Sequence, residues 1–128
     1  MAITISTAAA DAACNAIVDL VDVATPGTIE IKSAASTVAG TSEVATLTFP
    51  ATAFGASSSG IATAGTMVSD TNAAGGTAGF YTVFDGNGLA IWQGIVSVSG
   101  DDLDLSSLSV GATDTVSISL FTMTMPTT

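Results

Sequence analysis

Histidine is missing from this chain, and basic residues nearly so: one lysine, Lys32, stands against eleven acids, for a net charge of −10. Without histidine the chain lacks the usual general base and the commonest protein metal ligand. Its serines have no imidazole partner of the kind a hydrolase triad uses. A single cation cannot form the Lys and Arg clusters that displace counterions from nucleic acid. An anionic membrane surface would repel the chain for the same reason. The one cysteine, Cys14, excludes an intrachain disulfide. No glycine-rich loop leads into a lysine as a phosphate site requires. No apolar run approaches the roughly 18 residues of a transmembrane helix. The opening residues, MAITISTAAADAAC, lack the basic region of a secretory signal peptide, which predicts synthesis in the cytoplasm without one.

What is present reads as one domain. A chain of 128 residues buries a core without disulfides or metals. Five of its seven aromatic residues are phenylalanines, joined by Tyr81 and Trp92. The stretch from Gly76 to Val98 holds Phe80, Tyr81, Phe84 and Trp92 around the turn residues Asp85-Gly86-Asn87-Gly88. Two apolar segments flanking such a turn predict a β-hairpin, and its aromatics predict that it anchors the core. Gly94 in the second strand predicts a bulge or a close approach. Residues 1–6 form a short arm in which Ala2-Ile3-Thr4-Ile5 alternate. Ser6 or Thr7 then caps a helix over 7–22, ended by Pro26-Gly27. Ala10, Cys14, Ile17 and Val21 make its apolar stripe, with Ala13 and Leu20 beside it. Thr28 to Ser33 alternates, with Ile29 and Ile31 on one face and Glu30 and Lys32 on the other, a local ion pair worth little if exposed. Glu43 to Phe49 is a second strand. Residues 34–42 and 51–60 read as loops, the latter flexible and linker-like. Ile61 to Val68 is a weak strand broken by Gly65. Thr115 to Met125 reads as a last strand whose apolar face switches between Leu120 and Phe121. A strand buried on both faces needs a second cover, from the helix or another subunit. These elements predict a mainly β protein: an antiparallel β-sandwich or jelly-roll-like domain over 28–125 with one N-terminal α-helix.

Candidate chemistry is sparse. Asp101, Asp102 and Asp104 form the one acid cluster of the sequence and could contribute to a calcium site, but the EF-hand spacing is absent and a solvated turn explains them better. Asp85 and Asn87 fit turn geometry. Paired carboxylates could hydrolyse a glycoside, yet only Trp92 and Tyr81 are on hand to bind a sugar ring. Cys14 lies on the apolar stripe with no basic partner nearby, which predicts a packed thiol. Phe54, the one large residue of its loop, either plugs the core or contacts a partner. The expectation is no enzyme, no cofactor and no metal.

The layout resembles a family of small virion proteins from tailed bacteriophages. The resemblance runs through the helix AAADAACNAIVDLVD, the strand from Gly27 to Ile31 and Val44 to Pro50 with Ala53-Phe54-Gly55-Ala56 behind it. It continues through Gly60 to Ala64, Ser69-Asp70, Gly76-Thr77-Ala78 and the aromatic hairpin. It ends on Gly100 to Leu105, Gly111 and the Val-Ser-Ile-Ser strand. The loop after the first strand is shorter than in such relatives, and Tyr81-Thr82 stands where an arginine is common. The resemblance implies a structural virion component, a capsid decoration or cement protein on the outer head surface. Its implied partners are the major capsid protein and itself, as a homotrimer, with no nucleic acid and no membrane. The arm (Ala2, Ile3, Thr4, Ile5) and Phe54 are the candidate contact residues. The alternatives are a tail or adsorption-apparatus subunit, or a carbohydrate- or receptor-binding module.

Overall fold

The computed structural model describes residues 3–100 and 103–125. Ser6 caps the first helix, α1 (Thr7–Asp19), its hydroxyl accepting from the Ala9 amide at 3.1 Å. The helix tightens into a 3-10 turn at Leu20–Asp22, so the expected span is observed. Its buried stripe is Ala10, Cys14, Val18 and Val21; Val18 takes the place expected for Ile17, and Leu20 is exposed. The stripe turns toward Val18 because a second, polar stripe is also engaged. Asp11, Asn15 and Asp22 all face the 51–60 loop.

The main sheet runs in the order β2-β1-β5-β6-β7, from β1 (Thr28–Lys32), β2 (Glu43–Thr48), β5 (Phe80–Phe84), β6 (Ala90–Ser97) and β7 (Leu103–Asp104). Its pairings are antiparallel except the last, β6 with β7, which is parallel. Two short pairs complete the fold: β3 (Ile61–Thr63) with β9 (Thr122–Thr124), and β4 (Gly76–Thr77) with β8 (Ser109–Val110). The fold is mainly β with one N-terminal helix, and the main sheet is curled and mostly antiparallel. Helix α1 lies against β3 and β9.

The predicted hairpin is β5 and β6. Asp85 organises its turn, with Oδ1 accepting from the amides of Asn87 and Leu89, both at 2.9 Å. The turn docks on the end of the helix through the Gly86 amide and the Val23 carbonyl, 2.9 Å apart. A side chain at Gly86 would place its Cβ 1.5 Å from the Ala24 carbonyl oxygen, so only glycine fits. The register shift lies between Val83 and Phe84, not at Gly94. Gly94 serves the other expected purpose, close approach: a Cβ there would come within 2.5 Å of the Tyr81 ring.

On the inner face of the sheet, Ile29, Ile31, Ala45, Leu47, Tyr81 and Val83 join the core. Phe121 stands over them, edge-on to Tyr81 with ring centres 5.3 Å apart and stacked on Trp92 at 6.2 Å. Phe49 and Phe54 close the aromatic group, 5.4 Å apart. Such pairs add roughly 1 kcal/mol each beyond the area they bury.

The last strand is shorter than expected. Only Thr122–Thr124 pairs as a strand, with Val116 bridged to Asp70 before it. Val116 and Phe121 are buried while Leu120 points out, so the face switch is real but falls in irregular chain. The strands buried on both faces are instead β1 and β5, where Ile29 to Lys32 and Tyr81 to Phe84 are all buried.

Candidate functional site

The only cationic side chain of the chain, Lys32, stands at the end of β1 on the sheet face opposite Ile29 and Ile31. Lys32 has no exposed surface, and its ammonium donates to Glu30 Oε1 at 3.0 Å, to the Val38 carbonyl at 3.0 Å and to the Thr41 carbonyl at 2.8 Å. The Gly40 amide returns a bond to Glu30 Oε1 at 2.9 Å, and Thr82 Oγ1 donates to the Ser36 carbonyl at 2.8 Å. The Lys32 ammonium lies 5.5 Å from the centre of the Phe84 ring. The 34–42 loop is therefore a lid folded down onto a buried ion pair. The expected local ion pair between Glu30 and Lys32 is present, and it is buried. The alternation placed both side chains on one face correctly, but nothing local in sequence signals that a loop of small residues covers that face.

With Lys32 buried, every exposed charged side chain is an acid. Most of these acids hold backbone. Asp11 Oδ1 accepts from the Gly60 amide at 2.7 Å and the Ser57 hydroxyl at 2.8 Å. Those bonds, Gly60 first and Ser57 second, hold its carboxyl below the usual carboxylate range. Asn15 Oδ1 accepts from the Ser57 amide at 2.8 Å, and Asp22 Oδ1 from the Ala53 amide at 2.9 Å. Asp70 bonds the amides of Thr46 and Asn72, and Asp114 that of Gly111. Among the described residues no buried side-chain polar atom lacks a partner.

The residues singled out for chemistry are scattered. Of the acid cluster, Asp101 and Asp102 lie outside the described residues. Asp104 folds back on its own turn, Oδ2 accepting from the Gly100 amide at 3.2 Å. No group of three or more metal-ligating side chains occurs among the described residues. Cys14 is buried, its thiol 3.4 Å from the Met123 carbonyl, as a packed thiol should be. Tyr81 is buried and Trp92 half-buried against Phe54 and Phe121, so the two make no exposed aromatic platform.

The candidate contact residues divide. Phe54 is a plug, only 5% exposed and within 6 Å of the rings of Phe49, Trp92 and Phe121. Of its two expected roles, core plug and partner contact, it fills the first and not the second: Asp11, Asn15 and Asp22 hold its loop down and carry the ring inward. Ala2 lies outside the described residues. Ile3 is 89% exposed, and Thr4 and Ile5 lead from it to the Ser6 cap. A groove of about 380 Å³ opens elsewhere, between residues 104–110 and 114–120. Sequence reading missed it, because it depends on how two irregular segments lie beside each other. The chain matches no protein-family profile, no curated protein and no solved structure.

Proposed function

We propose that this chain is a structural virion protein of a tailed bacteriophage, a capsid decoration or cement protein that binds the outer head surface and bridges neighbouring capsomers. The reading starts from the resemblance that runs along nearly the whole sequence. The observation that carries it is the surface: no basic side chain reaches it. A shell that encloses DNA gains from a coat with no affinity for it. Many weak contacts, each supplied by an arm and a few loops, sum over a lattice into firm attachment. The proposed partner is the major capsid protein.

Quantitative mass spectrometry of purified virions tests this reading. A copy number near that of the major capsid protein is expected. A far lower ratio would move the chain to the tail or a vertex, and absence from virions would overturn the structural reading altogether.

A further inference from the structure

We infer that the open backbone edge at residues 117–120 takes up the N-terminal arm, Ile3 to Ser6, of a second copy of this chain as an added β-strand. The edge has the composition of a strand without the pairing. Val116, Ile118 and Leu120 alternate with Ser117 and Ser119. Val116 is bonded both ways to Asp70, at 2.7 and 3.0 Å, and Thr122–Thr124 pairs with β3. Between these anchors the peptide groups of 117–120 make no hydrogen bond. The groove described above runs along them, and Leu120 is 67% exposed at its rim. Unpaired strand edges are templates for another strand.

The β2 edge of the main sheet, by contrast, is already closed. At β2, Asp70 Oδ2 takes the Thr46 amide at 2.8 Å, and Thr48 exchanges bonds with Val68. The 117–120 edge has no such cover.

The arm has matching properties. Its residues alternate Ile3, Thr4, Ile5, Ser6, and the peptide groups of the first three are likewise unbonded within the chain. Four extended residues span about 13 Å, enough to run alongside a segment of four residues. The groove is flanked by Asp104 and Asp114, which repel an acidic strand. The arm carries no charged side chain, and the first in the chain after it is Asp11. Its isoleucines would cover Ile118 and Leu120. Arm and groove are different surfaces, so two copies can exchange arms reciprocally, or successive copies can build a ring or a chain. This inference does not depend on the virion reading, since it concerns the isolated chain.

Sedimentation velocity on the full chain tests it with two variants. Ile3→Asp with Thr4→Pro spoils the arm, and Leu120→Asp spoils the edge; Ile3 and Leu120 are exposed, so both variants should fold. Wild-type chain is expected to self-associate, and each variant to weaken association by about tenfold or more. An equimolar mixture should recover a one-to-one pair, since one variant keeps its groove and the other its arm. Recovery would also show that both variants are folded. A wild-type chain that stays monomeric at every concentration, variants that associate like wild type, or a mixture that stays monomeric would each overturn the assignment.

Discussion

A lysine with no exposed surface is tolerable only when each ammonium proton has an acceptor, and Lys32 meets that demand with one carboxylate and two carbonyls. The pair does not make the fold stable by its own attraction, because removing both charges from water costs about as much as their contact returns. What it does is fix where the 34–42 loop lies. Breaking one side of it is the costly change. Lys32→Met keeps the stem against Phe84 but leaves Glu30 as a buried carboxylate without its cation. A loss of about 3 kcal/mol in denaturant unfolding is expected. Combining Lys32→Met with Glu30→Gln should recover part of that loss, since no charge is then stranded. The single variant should also become cleavable by protease within 34–42. Equal stability of the single and double variants would show that the charge itself was not the problem.

Where an element's partner is close in sequence, the sequence reveals it; where the partner is distant, it does not. The hairpin was legible because alternation, aromatics and the Asp85 turn lie within one short stretch. Helix α1 was legible from its Ser6 cap and apolar stripe, although Val18 rather than Ile17 completes that stripe. The Thr115 to Met125 strand misled because its alternation is genuine while its pairing depends on Asp70 and β3, far back in the chain. The groove and the loop lids had no local signal at all. The 51–60 loop illustrates this: by composition it is a flexible linker, yet α1 ties it down at Ala53, Ser57 and Gly60. That tie has a predictable pH response. The Asp11 carboxyl is held below the usual carboxylate range, chiefly by the Gly60 amide and then by the Ser57 hydroxyl. A folded pKa below the unfolded one stabilises at all pH above about 4, and the gain fades as pH falls through the folded value. Asp11→Asn should therefore be less stable than wild type at neutral pH, with the gap narrowing below pH ~4. Amide hydrogen exchange at Ser57 and Gly60 should quicken in the variant. A gap that does not change with pH would mean that the Asp11 charge contributes nothing to docking the loop.

Taken whole, the molecule has withdrawn its only positive side chain from the surface and left its acids to face one another across water. The acids are not idle, because many of them cap backbone amides, so neutralising them with acid removes those bonds along with the repulsion. Salt separates the two effects. It screens long-range repulsion while leaving short hydrogen bonds largely intact. The Debye length falls from about 30 Å at 0.01 M to about 8 Å at 0.15 M, shorter than the distance across most of this domain. Thermal stability is therefore expected to rise over that range, whereas a domain held by exposed ion pairs would lose stability. Differential scanning calorimetry at neutral pH decides it, and a flat or falling melting temperature would show that the acids lie too far apart to destabilise the fold. The same screening acts with opposite sign on the two associations proposed for this chain. Contact between copies brings like charges together, so salt should tighten it. Docking on a basic patch of another protein joins unlike charges, so salt should loosen it. Assembly that strengthens with salt would mean that the seam between copies brings acids near one another, and virion attachment that weakens with salt would mean that acids take part in it.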